Sequence, residues 1–263
     1  MIQALREKKR IVVIVGAGIS AEAGIPTFDS MSIVTKNVFN IHMYRNDNDT
    51  KKLNEMFSQM YNRAQAASPT QFHHVLAAIA KEGRLHRLYT QNIDGLDTQL
   101  ASLKTQIPLS SNKPWPRTIQ LHGDLKTVMC GANPLHLSHF NPALFASEPL
   151  GPRCTECKVN KRTGKVPVVR PRVWLYQDWN YPDDKAITTI KEKDLQQKVD
   201  LVVVAGTALK IDSAQRLARD MCKTVRENGG TAVWINLKAP AQKLDFFDVV
   251  IVGSCEIVAR HVS

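Results

Sequence analysis

The segment Ile11–Val15 constrains the fold most, because all five of its residues are apolar and β-branched. Such a run is typical of a strand that is buried on both faces, as in a parallel sheet covered by helices. It leads directly into Gly16-Ala17-Gly18, where glycine permits a sharp turn and lets backbone N–H groups approach a ligand. Ser20 follows as a candidate cap of a helix whose N-terminus would attract an anion. The segment predicts a nucleotide-phosphate site or, as the simpler alternative, only a tight strand-to-helix turn.

Apolar segments alternate with amphipathic ones along the rest of the chain. Helical periodicity is clearest in Thr70–Lys81 and Asp212–Arg226. Strands that alternate with helices need crossover connections, so the pattern predicts an α/β fold with a doubly wound, Rossmann-like parallel sheet. The predicted strands are Ile11–Val15, Leu85–Tyr89, Thr118–Leu121, Leu201–Ala205, Ala232–Ile235 and Val249–Val252.

Two insertions interrupt this pattern. Residues 31–68 are polar and helix-rich, and they predict a helical insertion that could serve as a lid. Residues 130–170 contain five prolines and three of the five cysteines, and they predict a small, loop-like inserted domain. The main Rossmann-like domain is then expected to comprise residues 1–30, 69–129 and 171–263.

The composition fits an intracellular globular enzyme. The 263 residues are 43% hydrophobic, which is enough for one large core and a small satellite domain. The sequence has no apolar run of membrane-spanning length, and residues 1–10 are too charged for a secretory signal. Five cysteines, an odd number, favour free thiols or metal ligands over a disulfide framework.

The chain is strongly basic, with a formal net charge of +11. A basic surface favours acidic surroundings such as nucleic acid or chromatin. The simpler alternative is that these charges form a solvated face with no partner. The sequence leaves both open, and it predicts no membrane partner.

Two polar loops follow predicted strands. The first contains Gln91-Asn92-Ile93-Asp94 and the second contains His122-Gly123. Because ligands bind at the carboxyl ends of the strands in open α/β sheets, we expect both loops at one site. His122 is the candidate general base, since an imidazole titrates near neutral pH.

These segments, taken in order, resemble the sirtuins, the NAD-dependent protein-lysine deacylases. The resemblance rests on the Gly16–Phe28 segment, the two polar loops, Val204–Leu209 and Trp234–Asn236, and it covers nearly the whole chain. The sequence of these segments is most similar to that of fungal nuclear histone deacetylases of this family. The resemblance implies NAD as cofactor, an acylated protein lysine (a histone lysine) as substrate, and a nuclear location, with a cytoplasmic location as the alternative.

The resemblance also implies roles for individual residues. His122 would activate a ribose hydroxyl that takes over the acyl group after nicotinamide has left. Asn92 would position the ribose and a water molecule, and Asp94 would hold the nicotinamide amide. Phe28 would cover the nicotinamide pocket. The full set of implied cofactor-binding residues is Gly16, Ala17, Gly18, Ser20, Phe28, Gln91, Asn92, Asp94, Gly206, Thr207, Asn236 and Cys255.

Several positions depart from the family pattern. Thr27 and Asp29 replace the usual aspartate and arginine of the Pro-Asp-Phe-Arg-Ser segment, and Ala208 replaces the serine of the Gly-Thr-Ser loop. Trp174 stands where a small residue is expected beside the acyl-lysine. These changes support two alternative functions. One is a sirtuin-like regulatory protein that binds NAD or ADP-ribose with little or no turnover; the other is a related NAD-consuming transferase or a small-molecule deacylase.

A structural zinc site is predicted in the second insertion. Cys154 and Cys157 have the spacing of one half of such a site, and Cys130 lies where the other half begins. The family pattern places a second cysteine where this chain has Asn133, a poor zinc ligand. Either His136 or His139 is the expected fourth ligand, and the alternative is a module that has lost its metal. The two remaining cysteines are expected to be a core residue, Cys222, and a member of the C-terminal cofactor loop, Cys255.

Overall fold

The computed structural model describes residues 7–27 and 38–262. The strands are β1 (Ile11–Val15), β2 (Leu85–Thr90), β3 (Thr118–Gln120), β4 (Gly123–Cys130), β5 (Leu137–His139), β6 (Val169–Val173), β7 (Leu201–Ala205), β8 (Thr231–Asn236) and β9 (Val249–Val252). The α-helices are α1 (Asp47–Ala66), α2 (Gln71–Lys81), α3 (Pro142–Ser147), α4 (Asp184–Leu195), α5 (Asp212–Glu227) and α6 (Cys255–Val262). Single 3-10 turns lie at Ala17–Ile19, Ala21–Ala23, Ile41–Arg45, Asp97–Gln99 and Ala101–Leu103.

Six strands form one parallel sheet in the order β3-β2-β1-β7-β8-β9. This confirms the predicted doubly wound fold, and all six predicted strands are present. Alternate residues of β1 enter different cores: Ile11, Val13 and Val15 join one hydrophobic cluster, whereas Val12 and Ile14 join another. The first cluster includes residues of α2 and α6, and the second includes residues of α4 and α5. Helices therefore cover both faces, which explains the unbroken apolar run.

The chain changes direction across the sheet at β1, because β2 pairs with one of its edges and β7 with the other. Such a switch point opens a crevice outside the carboxyl ends of the two strands. Gly16 follows β1 and Gly206 follows β7, so both lie at this crevice.

The segment 130–170 is more regular than the sequence predicted. It contributes β5, α3 and the first residues of β6 to an antiparallel sheet of order β5-β4-β6. Strand β4 was missed because its mixed residues show no alternation, although it packs against β6. The predicted boundary at residue 130 falls on the last residue of β4. The domain bounds otherwise stay predictions.

Helix α1 supplies the helical part of the predicted insertion. Its residues Leu53 and Phe57 are fully buried against Leu125 of β4 and Val173 of β6. The insertion is therefore packed on the small sheet through α1. Residues 31–37 lie outside the described residues, and among the described helices none is long and apolar enough to cross a membrane.

Candidate active site

Glycines of two loops interlock at the switch point. Gly16 N donates to Ala205 O at 3.1 Å, and Gly18 N donates to Gly206 O at 2.8 Å. A Cβ added to Gly18 would lie 2.6 Å from Gly206 Cα, and one added to Gly16 would lie 2.7 Å from Thr207 Cβ. Gly206 has φ +62°, a left-handed conformation that glycine adopts without strain. Both loops therefore need glycine in order to pass each other, and they leave backbone exposed to a ligand.

The turn after the first loop differs from the predicted helix. Ser20 does not cap a helix through its side chain; it links two 3-10 turns, Ala17–Ile19 and Ala21–Ala23. The second turn ends at Gly24, which has φ +79°. The prediction of a helix N-terminus at Ser20 is therefore wrong. A left-handed residue, followed by Pro26 two positions on, stops helical propagation there.

Gln91 joins the loop after β2 to the loop after β7. Its Nε2 donates to Thr207 Oγ1 at 3.0 Å and to Val15 O at 3.3 Å. Thr207 Oγ1 also accepts from Leu209 N at 3.1 Å, and Asn236 Nδ2 donates to Thr207 O at 3.1 Å. Hydrogen bonds thus connect the ends of β1, β2, β7 and β8 into one polar site.

Asn92, Asp94 and Ser20 meet beneath this site, and all three are buried. Asn92 Nδ2 lies 3.4 Å from Ser20 Oγ, while Asn92 Oδ1 has no hydrogen-bond partner among the described residues. Asp94 Oδ1 accepts from Leu96 N at 2.9 Å. Burial and the neighbouring Asp97 raise the pKa of Asp94, and the hydrogen bonds from Leu96 N and Ser20 partly oppose this. An unpaired buried amide oxygen indicates a place where a bound ligand or water completes the site.

Two buried residues that were not predicted from the sequence, Asp97 and His73, face each other close to Asp94. Asp97 is 1% exposed and accepts from Thr90 Oγ1 at 2.8 Å, and burial raises its pKa to about 6. His73 Nε2 faces Asp97 Oδ1 at 3.5 Å. Thr70 N donates to His73 Nδ1 at 3.1 Å, so the ring carries its proton on Nε2. Burial lowers the pKa of His73 to about 4, which keeps the ring neutral.

His122 lies two residues after the end of β3 and the residue after it begins β4, so it lies between the two sheets. Its Nδ1 lies 3.1 Å from Gln91 O. Because a carbonyl oxygen only accepts hydrogen bonds, Nδ1 carries the proton and Nε2 keeps its lone pair. Nε2 is buried and has no partner among the described residues. Burial lowers the pKa of His122, so the ring is neutral at pH 7 and can act as a base.

The backbone around His122 is held by β6. Gly123 has φ +77°, and a Cβ there would lie 2.0 Å from Arg172 O and 2.6 Å from the Tyr181 hydroxyl. Arg172 is 1% exposed and donates to the two oxygens of Asp183 at 2.6 and 2.7 Å. Only glycine fits at position 123, which explains the His122-Gly123 pair in physical terms.

Trp174, the bulky residue expected near the acyl-lysine, is held in place by three contacts. Its backbone N donates to His122 O at 2.9 Å, and its Nε1 donates to Asp178 O at 2.9 Å. Its ring stacks on Tyr181 with centroids 4.8 Å apart. The indole is therefore fixed beside the candidate base, and its effect on an acyl-lysine tunnel stays a prediction.

The remaining predicted site residues have different outcomes. Ala17 lies on the first glycine loop, at the start of a 3-10 turn. Cys255 is buried at the first residue of α6, with its Sγ 3.9 Å from Ile235 O. Cys222 is fully buried in the core, as expected. Phe28 and Asp29 lie outside the described residues. Contact of any of these residues with a cofactor stays a prediction.

The predicted metal ligands converge in the small domain. Cys130, His136, Cys154 and Cys157 place one ligand atom each within 4.8 Å of one another. His136 Nδ1 lies 3.3 Å from Cys157 Sγ and 3.6 Å from Cys154 Sγ. Three thiolates and one imidazole are a donor set that suits tetrahedral Zn²⁺. The fourth position is therefore His136 rather than His139, which is exposed on β5.

Asn133, which stands where the family pattern has a cysteine, lies beside this cluster. Its Nδ2 is 2.9 Å from His136 Nε2, and its Oδ1 accepts from Leu135 N at 3.1 Å. The residue that cannot serve as a thiolate ligand therefore lies next to the one that takes its place. The sequence could not separate His136 from His139, because both lie a few residues after Cys130.

Comparison with known proteins identifies the family to which the chain belongs. The Sir2 family model matches residues 16–213 of the chain. The chain belongs to the Sir2 family. The matched region begins at the first glycine of the interlocked loops and extends past the end of β7, so it includes both polar loops and the cysteine cluster.

Three fungal relatives cover almost the whole chain. The NAD-dependent protein deacetylase hst4 of Emericella nidulans is 39% identical over 99% of this chain. The protein of the same name from Schizosaccharomyces pombe is 36% identical over 99%, and the NAD-dependent histone deacetylase HST4 of Saccharomyces cerevisiae is 36% identical over 97%. The chain spans 47% of the length of the first relative, 68% of the second and 75% of the third.

Solved structures confirm the fold. A structure described as a Sir2 homolog–NAD complex has a TM-score of 0.73 at 23% identity, and it covers 99% of this chain and 92% of its own. A Sir2–p53 peptide–NAD+ structure has a TM-score of 0.74 at 22% identity, covering 99% and 94%. At this level of identity the likeness establishes the architecture.

Proposed function

We propose that this Sir2-family chain is an NAD-dependent protein-lysine deacetylase that acts on acetylated histone lysines in the nucleus. The observation that carries the proposal is the neutral His122 ring, whose Nε2 has no hydrogen-bond partner within residues 7–27 and 38–262 and which is joined through Gln91 to the interlocked glycine loops. The fungal relatives that cover the chain are named as NAD-dependent protein or histone deacetylases. These names, together with the net charge of +11, support the substrate class and the nuclear location.

The residues present fit NAD. Gly16, Gly18 and Gly206 leave a cradle that a Cβ would fill, and the backbone there can approach a pyrophosphate. Thr207 and Asn236 lie next to this cradle and would hold the adenosine half. Asn92 Oδ1 and His122 Nε2, two buried atoms without a partner in the described part of the chain, would face the nicotinamide-ribose half. When bound, NAD supplies the ribose that accepts the acyl group and the nicotinamide that leaves.

His122 would act as the general base of the reaction. Its Nδ1–H is held by Gln91 O, so the Nε2 lone pair is available to take a proton from a ribose hydroxyl. When the ring becomes cationic, the same carbonyl stabilises it. Base catalysis of this kind typically contributes about 10²–10⁴-fold to the rate.

Asn92 and Asp94 would position groups rather than transfer protons. Asn92 offers its Oδ1 and is anchored through Nδ2 by Ser20. Asp94 is buried, and its oxygen is oriented by Leu96 N, so it would accept from an amide N–H of nicotinamide. Because both side chains are shielded from solvent, they need little reorganisation when a ligand arrives, which favours the reactive geometry.

Nicotinamide release from NAD in the presence of an acetylated histone peptide tests this proposal. We expect turnover by the wild-type chain, and a fall of about 10²–10⁴-fold in deacetylation for His122→Ala. NAD affinity should stay within a few-fold, since the glycine cradle is separate from His122. His261→Ala, at an exposed position on α6, is the matched control and should keep full activity.

The same assay distinguishes the alternatives. NAD binding without nicotinamide release, in the presence of any acylated peptide, would refute the enzyme and support an NAD- or ADP-ribose-binding regulatory protein. Equal activity in His122→Ala and wild type would refute the assignment of the base.

A further inference from the structure

A basic pocket lies at the amino-terminal ends of the strands of the six-stranded sheet, opposite to the candidate active site at their carboxyl ends. It is open on one side and has a volume of about 300 Å³. The basic residues that line it lie at the starts of three neighbouring strands: Lys9 and Arg10 precede β1, Arg84 precedes β2 and His86 and Arg87 belong to its first half, and Arg117 precedes β3. Because β1, β2 and β3 are neighbours in the sheet, these side chains form a row across its edge.

Only some of these charges are neutralised within the protein. Asp194 accepts two hydrogen bonds from Arg87, at 2.7 and 3.0 Å, and a contact from His86 at 3.1 Å. Glu82 pairs with Arg84. These partners fix the inner part of the pocket and leave its charge close to balance.

The outer cations differ in this respect. Asp200 accepts from the backbone N–H groups of Lys9 and Arg10, both at 2.9 Å, rather than from their side chains. Arg117 donates through NH1 to Leu85 O. Within residues 7–27 and 38–262, no carboxylate pairs with the side chain of Lys9, Arg10 or Arg117. Three cationic side chains are therefore available to an acidic ligand from outside the chain.

We propose that this pocket binds phosphates of a nucleic-acid backbone. Guanidinium groups match phosphate oxygens in geometry as well as charge. Neighbouring strands are about 4.8 Å apart, so three of them place cations along roughly 10 Å, a row that suits successive phosphates better than a single anion. Lys113, whose Nζ is 5.3 Å from the ring centre of Trp115 in the pocket wall, adds positive charge nearby. The net charge of +11 attracts a polyanion from a distance.

The position of the pocket separates it from catalysis. Strand β2 carries Arg87 near its start and leads into Gln91 after its end, so the two sites lie at opposite ends of a six-residue strand, about 20 Å long. The protein can therefore hold nucleic acid at one edge of the sheet while the other edge binds its ligands. Substitutions in the outer pocket should leave deacetylation of a short peptide unchanged.

Fluorescence anisotropy with a labelled DNA duplex, repeated between 50 and 200 mM salt, tests the proposal. The variant replaces Lys9, Arg10 and Arg117 with Gln, and the control replaces three exposed cations of another loop, Lys161, Arg162 and Lys165, with Gln. Both lose the same net charge. We expect at least tenfold weaker binding for the pocket variant, with a salt slope smaller by about two to three. The control should change affinity by less than about threefold.

Three outcomes would overturn the proposal. The first is an equal loss of duplex affinity in the two variants, which would show that binding depends only on net charge. The second is no measurable binding of the wild-type chain at 50 mM salt. The third is displacement of the duplex by inorganic tripolyphosphate at the same phosphate concentration, which would make the pocket a site for small polyphosphates. If the triple variant fails to fold, Arg10→Gln alone, at an exposed position, should still weaken binding more than Arg162→Gln.

Discussion

Replacing Gly18 by alanine tests the interlocked glycine loops directly. The new Cβ would lie 2.6 Å from Gly206 Cα and 2.8 Å from Gly206 O, and both neighbours are backbone atoms that no rotamer change can move. Overpacking of this kind costs about 3 kcal/mol, the upper end of its usual range. Alanine also restricts the unfolded chain, which offsets up to about 1 kcal/mol of this cost. The net loss of about 2 kcal/mol lowers Tm by roughly 4–8 °C for a chain of this size.

Thermal unfolding by circular dichroism measures this effect, and Gly253→Ala is its matched control. Gly253 has no atom within 4 Å of an added Cβ, and neither glycine has a positive φ, so the two substitutions differ only in the space available. The control should leave Tm unchanged or slightly higher. A Gly18→Ala protein as stable as Gly253→Ala would refute the interlocked arrangement. When NAD is titrated against both proteins, only Gly18→Ala should bind it more weakly than the wild type does.

Two further predictions concern the metal cluster and the base. His136→Ala should lower the zinc content measured by elemental analysis and lower Tm, whereas His139→Ala should change neither; equal zinc in both variants would contradict the ligand assignment. Because burial lowers the pKa of His122 below the usual value of a histidine, its base form predominates at neutral pH, so the acid limb of kcat/KM for deacetylation should be centred below about pH 6.5. An acid limb centred above pH 7 would contradict a buried, neutral base.

The central strands of the large sheet were predictable from the sequence because their burial is nearly complete. Ile11–Val15 and Leu201–Ala205 are buried at every residue, so selection for apolar, β-branched side chains acts on both faces and produces an unbroken run. The polar loops were predictable for a related reason. Gln91 directly follows β2 and His122 lies two residues after the end of β3, and the carboxyl ends of parallel strands lie at one edge of the sheet.

The pair of His73 and Asp97 was not predictable in the same way. His73 is on α2, where its position among apolar residues is typical of a core histidine, and its contact with Asp97 depends on how α2 packs against the end of β2. The ends of α2 depend on distant residues too, since Glu256 of α6 accepts from the backbone N–H groups of Gln71 and Phe72. Contacts between residues that are far apart in sequence leave no local periodicity to detect.

Strand β4 connects the two parts of the candidate site. Its first residue, Gly123, follows the candidate base, and its last residue, Cys130, belongs to the candidate metal cluster. Between them the register with β6 shifts, so the strand is held at its two ends: by Val173 opposite Gly123, and by Val169 opposite Cys130. A metal bound at Cys130 would therefore anchor one end of the strand whose other end sets the position of His122. Such a metal would act on the position of His122 only through the backbone of β4, which spans about 26 Å for eight extended residues.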